Sequence, residues 1–158
     1  MSNPAGERAP LVMLVEDDLA VGQMYQVGLE CSGFRVAVLT NESEFFRAID
    51  AEIPDAAVLD FQLHGLMTGV DIIDNLRLDH RTADLPVFVL SNDLAALDAQ
   101  MNRALEAGAI AWLVKSDTNP TQLAGRINQA LCSRPVSDPG ARRATQTRNC
   151  WWIPLTRP

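Results

Sequence analysis

Five times in succession along this chain, a short apolar run gives way to a longer segment whose apolar residues recur at helical spacing. The runs are PLVMLVE (10–16), FRVAVL (34–39), DAAVLDF (55–61), LPVFVLS (85–91) and AIAWLVK (109–115), each long enough for a strand and too short for a helix. Between and after them lie five segments that read as helices. Residues 17–33 carry Leu19, Val21, Met24, Val27 and Leu29 and stop at Gly33. Residues 41–51 open on Asn41 with Glu44 three positions on, close to a capping box. Residues 69–79 and 93–108 follow, and 119–132 has Pro120 where a first helical turn tolerates it.

Five βα units in a row leave few ways to fold. The first, third, fourth and fifth runs are almost continuously apolar, as strands covered on both faces must be. Right-handed crossovers then build an open parallel sheet with helices on both sides, an α/β doubly wound architecture. In such sheets, sites form outside the carboxyl ends of the strands, where the strand order reverses.

Length and composition fit one such domain and little more. The 158 residues are 47% hydrophobic and 21% charged. No apolar run approaches the roughly 18 residues needed to cross a bilayer, so no membrane insertion is expected. The opening MSNPAGERAP lacks the basic-then-apolar pattern of a signal peptide, which makes a cytoplasmic location the expectation. Cys31, Cys132 and Cys150 are widely spaced without a CxxC pair and read as free thiols. Residues 1–9 read as an N-terminal extension, 10–132 as the domain and 133–158 as a Pro/Arg-rich tail, disordered or docking through CWWIPL. The tail nets +4 and the remainder −11. So acidic a body argues against direct nucleic-acid binding and suits a site that gathers carboxylates around a cation.

The strand ends carry the chemistry. The first run ends in Glu16, Asp17 and Asp18, the third at Asp60, the fourth at Ser91 and the fifth at Lys115. Three crowded carboxylates repel one another unless a cation intervenes, and hard oxygen ligands suit Mg²⁺. A hydroxyl and an ammonium beside such an ion complete a cradle for a phosphoryl group, with a carboxylate between them as nucleophile. Glu16 and Asp17 have a plainer use as caps of the first helix, but Asp18 is better placed for that.

LVMLVEDD, AAVLDFQL, PVFVLS and AWLVKS, in this order and spacing, resemble the receiver domain of bacterial response regulators over residues 10–132. The resemblance implies a flavodoxin-like (βα)5 fold with strand order 2-1-3-4-5. It implies a phosphoacceptor signalling protein rather than an enzyme, taking its phosphoryl group on Asp60 from a sensor histidine kinase or phosphotransfer protein. Glu16, Asp17, Asp60 and the backbone carbonyl of Gln62 match the Mg²⁺ ligands, and Lys115 the lysine that pairs with the phosphate. Ser91 matches the switch hydroxyl and Trp112 the aromatic switch position, while Gln62 and Asp93 match positions that tune dephosphorylation. Phosphorylation would shift the face built from the fourth helix, fifth strand and fifth helix, which then meets a downstream protein or a second copy of the chain.

The sequence also departs from that pattern. DFQLHGLMTG places Gly69 nine residues after Asp60, one more than the commonest spacing, and lacks the usual proline four after the acceptor. KS replaces the usual KP, Asn92 stands where a small residue is common, and Trp112 is larger than the usual tyrosine or phenylalanine. His64 and His80 read as loop histidines without a role. An aspartyl-nucleophile phosphatase of the haloacid dehalogenase type would carry a second acid where Gln62 stands, and no GxGxxG or Walker loop supports nucleotide binding. The competing reading that survives is a receiver-like interaction module acting without phosphorylation and governed by its tail.

Overall fold

A computed structural model of the chain describes residues 8–92 and 97–134. Its elements are β1 (Leu11–Val15), α1 (Leu19–Cys31), β2 (Arg35–Leu39), α2 (Glu42–Ala51), β3 (Ala56–Asp60), α3 (Gly69–Leu78), β4 (Val87–Ser91), α4 (Leu97–Glu106), β5 (Ala111–Val114) and α5 (Pro120–Cys132), with one 3₁₀ turn at Lys115–Asp117. The strands are parallel throughout and lie in the order β2-β1-β3-β4-β5. Both the doubly wound fold and the strand order are therefore as the sequence implies.

The period of two along each strand divides the core. Leu11, Met13 and Val15, Ala57 and Leu59, and Val87 and Val89 face α2, α3 and α4, where Phe45, Ile49, Ile72, Ile73 and Leu76 are buried. Val12 and Leu14, Ala56 and Val58, and Phe88 and Leu90 face α1 and α5, against Tyr25, Leu29, Leu123 and Ile127. Each fully buried side chain of this size is worth about 1.5–3 kcal/mol, so a one-residue slip of a central strand would exchange both cores at once. Register is thereby fixed, and with it the residue that emerges at each carboxyl end. Val15 lies opposite Leu59, Asp60 opposite Leu90 and Ser91 opposite Val114.

Local signals end the helices close to where the sequence suggests. Asp18 caps α1 through Ala20 N and Val21 N, and the helix gives out where Gly33 adopts φ +96°. Asn41 caps α2 through Glu44 N, but the reciprocal bond runs from Thr40 N to Glu44, one residue earlier than a capping box. Complete boxes that the sequence reading did not identify open α3 (Thr68 with Asp71) and α5 (Asn119 with Gln122). No cis peptide occurs among the described residues, so Lys115–Ser116 is trans. One expectation is overturned: Cys31 is a free, exposed thiol, whereas Cys132 is disulfide-bonded. Wide spacing in sequence sets no lower limit on separation in space, which is what a disulfide requires. Nearly all of the tail, 135–158, lies outside the described residues.

Arg77 ties the end of the sheet opposite those carboxyl ends together. From α3 its guanidinium donates to the carbonyls of Thr82, Ala83 and Leu85 ahead of β4 and of Ala107 and Gly108 after α4. Burial depresses its pKa, a cost that the bonds from Nε, Nη1 and Nη2 to five carbonyls offset. Arg77→Met should therefore lower stability by about 3 kcal/mol, seen as a lower urea midpoint with unchanged slope.

Candidate functional site

Glu16 follows β1 directly, Asp60 closes β3, Ser91 closes β4 and Lys115 follows β5, so sheet order alone brings all four to one edge. Glu16, Asp60 and Ser91 are only 1%, 4% and 1% exposed. One carboxylate oxygen from each of Glu16, Asp17 and Asp60 lies within 4.8 Å of the others. Lys115 Nζ donates to Glu16 Oε2 at 2.5 Å and stands 3.3 Å from Asp60 Oδ2. Backbone amides hold the remaining oxygens: Asp18 N donates to Glu16 Oε1 and Gln62 N to Asp60 Oδ1, both at 3.1 Å. Asp18 takes the capping of α1, leaving its two neighbours to the edge.

Lys115 is the only lysine in the chain; the other twelve basic residues are arginines. A compact ammonium reaches two carboxylates at once where a planar guanidinium would demand a wider opening. It does not balance them. Burial pushes the Glu16 carboxyl above its ordinary range despite the ammonium beside it. Burial alone would depress Lys115, but Glu16 and Asp60 override it and hold the ammonium above the usual lysine value. The ammonium is over-supplied with partners and the carboxylates are under-supplied, which leaves the edge short of positive charge. A hard divalent cation would supply what is missing, and Glu16, Asp17 and Asp60 are the donors that would hold it.

Around this edge the structure places the other expected residues unevenly. Trp112, on β5, packs against Phe61 with ring centroids 4.8 Å apart and the ring planes tilted by 51°, and its buried Nε1 has no hydrogen-bond partner among the described residues. Gln62 is exposed and reaches Asp60 through its backbone. Asn92 is exposed, and Asp93 lies outside the described residues.

His64, a loop histidine that no sequence pattern marks, also meets this edge. Its backbone N donates to Asp17 Oδ2 at 3.2 Å, and its ring Nδ1 is in close contact with the same oxygen. Partial burial would raise Asp17, but these bonds hold its carboxyl below the ordinary range. Only its position sets it apart: His64 occupies the place, four after Asp60, where the resembled pattern has proline.

Residues 12–128 match the response regulator receiver domain. The chain belongs to this family. Receivers are signalling modules of two-component systems rather than classical enzymes. This one is 38% identical over 111 residues to the transcriptional regulatory protein PrrA of Mycobacterium tuberculosis, covering 70% of this chain and 45% of that protein. It is 32% identical over 131 residues to the regulatory protein VirG of Agrobacterium tumefaciens, covering 82% and 46%. The chain thus spans about half the length of the curated relatives it matches. Among solved structures, a response regulator from Thermotoga maritima superposes with TM-score 0.68 at 25% identity, covering 80% of this receiver and 100% of that chain. The chemotaxis response regulator CheY4 of Vibrio cholerae shares the fold with TM-score 0.69 at 21% identity, covering 78% and 99%.

The His64–Asp17 contact sets a direction that can be measured without metal. Asp17 raises the His64 pKa above its ordinary 6.5. The contact therefore contributes fully below about pH 6.5 and is lost as the pH rises through the raised folded value. In an NMR titration of the ring protons, His64 should titrate above the ordinary range and move back down in Asp17→Asn. An identical curve in both proteins would disprove the contact.

Proposed function

We propose that this receiver accepts a phosphoryl group on Asp60 from the phosphohistidine of a sensor kinase or phosphotransfer protein, with Mg²⁺ held by Glu16, Asp17, Asp60 and the backbone carbonyl of Gln62. The observation that carries this reading is the buried Glu16–Lys115–Asp60 arrangement at the carboxyl edge. Mg²⁺, when bound, offsets the charge that collects on the phosphoryl oxygens.

The residues of the chain do the rest. An Asp60 carboxylate oxygen forms the new O–P bond as the N–P bond of the donor breaks, and the electron pair returns to the donor imidazole. Lys115, already 3.3 Å from Asp60 Oδ2, is placed to transfer its hydrogen bond to a phosphoryl oxygen. Ser91, buried at the end of the adjacent strand, provides a hydroxyl for another. Movement of the Ser91 backbone would disturb Trp112, because Val89 and Trp112 lie opposite one another two residues earlier. This links the site to the α4-β5-α5 face, where a downstream protein or a second copy would bind the phosphorylated form. Gln62 and Asp93 would tune hydrolysis of the acyl phosphate.

The curated relatives are named as transcriptional or DNA-binding regulators. For the receiver itself a protein partner is the better proposal, since residues 1–132 carry a net −11 that repels phosphate. A cytoplasmic location is part of this reading. No helix among the described residues is long and apolar enough to cross a membrane.

Incubation with acetyl phosphate and Mg²⁺ should add the mass of one phosphoryl group to wild type and none to Asp60→Asn. Lys115→Met should slow the uptake about a hundredfold. Absence of uptake by a folded wild type would transfer the case to the phosphorylation-independent module. Beryllofluoride should also change the intrinsic fluorescence, and Trp112→Phe should remove that change if the Phe61 contact is what moves.

A further inference from the structure

The loop after β3 is fastened at two points. His64 N and Nδ1 both meet Asp17 Oδ2 on one side. Leu66 N donates to Glu42 Oε1 at 3.1 Å on the other. Gly65 lies between them, close enough to Glu42 that a Cβ there would come within 2.2 Å of Oε2 and oblige that flexible carboxylate to shift. The fastening holds the His64 ring at the rim of the acidic edge, with its side chain 94% exposed.

We propose that His64 is a fourth side-chain donor to the divalent-ion site, giving it a mixed oxygen and nitrogen ligand set that favours imidazole-accepting ions such as Mn²⁺ and Co²⁺ over Mg²⁺. This rests on the reading of Glu16, Asp17 and Asp60 as the ion's carboxylate ligands. The imidazole nitrogen stands against an oxygen of one of those carboxylates, so a small turn of an exposed ring brings it to an ion bound there. Carboxylates and waters alone suit Mg²⁺, whereas each nitrogen donor shifts preference along the series from Mn²⁺ toward Co²⁺ and beyond. The backbone bond from His64 N to Asp17 means that an ion binding Asp17 meets the ring in a fixed register rather than by chance.

The test is calorimetric titration of Mg²⁺ and of Co²⁺ into the full chain at pH 8.5. It is paired with electron spin-echo modulation of bound Mn²⁺ in a His80→Gln background, so that His80 cannot supply a nitrogen. Wild type should show nitrogen modulation that His64→Ala loses. His64→Ala should bind Co²⁺ about tenfold more weakly while its Mg²⁺ affinity moves less than about twofold. Because the ring is exposed, the urea midpoint of His64→Ala should match wild type. Lack of nitrogen modulation in wild type overturns the proposal. So does tighter binding of both ions in His64→Ala, which would make the ring a competitor. Asp17→Asn separates the two readings. If it weakens both ions while His64→Ala weakens neither, only the role of His64 falls; if it weakens neither ion, the metal-site reading falls as well.

Discussion

Everything at the carboxyl edge of this sheet depends on one ammonium shared between two buried carboxylates. Lys115 is bonded to Glu16 and close to Asp60, and the Asp17 carboxylate stands within reach of both acids. Buried charge is costly unless paired and hydrogen-bonded, and here the pairing is deliberately incomplete. Replacing the set with apolar residues of similar volume would be neutral or stabilising for the fold. Its persistence in the most protected part of the molecule is therefore a statement about chemistry. The shortage of positive charge is what makes the edge receptive to a cation and to a group that arrives with one.

That shortage is tolerable because the rest of the fold fixes the edge rigidly. Two cores of opposite strand parity leave β1 and β3 a single register. The amides of Asp18 and Gln62 then satisfy the carboxylate oxygens that Lys115 does not reach. At the far end, Arg77 joins α3 to the β4 and β5 approaches through five carbonyls. The same rigidity gives the edge a way to report. Phe61 follows Asp60 immediately and packs against Trp112, two strands away in the sheet order. The indole N–H is buried without a partner among the described residues. A donor left unmet costs about 1–3 kcal/mol, so an alternative position that satisfied it would be close in energy to this one.

What could be read from the sequence follows from which physical rules are local. Strands, helices and the edge residues Glu16, Asp60, Ser91 and Lys115 were legible because period-two runs determine burial and topology determines where runs end. Asp18 as the cap of α1 was legible for the same reason, since capping acts over three residues. The reciprocal partner of Glu44 was not, because Thr40 competed with Asn41 from one position away. Cys132 was misread because a disulfide depends on distance in space. His64 was misread because its partner Asp17 is 47 residues earlier, and no periodicity connects a loop to a neighbouring strand end.

His64 also shows where a fold of this kind can vary without losing its chemistry. The edge residues sit where two cores and a sheet register constrain every neighbour, so a change there propagates into packing. The loop from Phe61 to Thr68 meets the edge from outside, through backbone amides and an exposed ring. Gly69 returns to the end of β3 through its bond to the Phe61 carbonyl. The loop can therefore change what it presents to Asp17 while Asp60 and Lys115 stay in place. Specificity is most easily adjusted at such a point, where a side chain touches a ligand atom but carries none of the core.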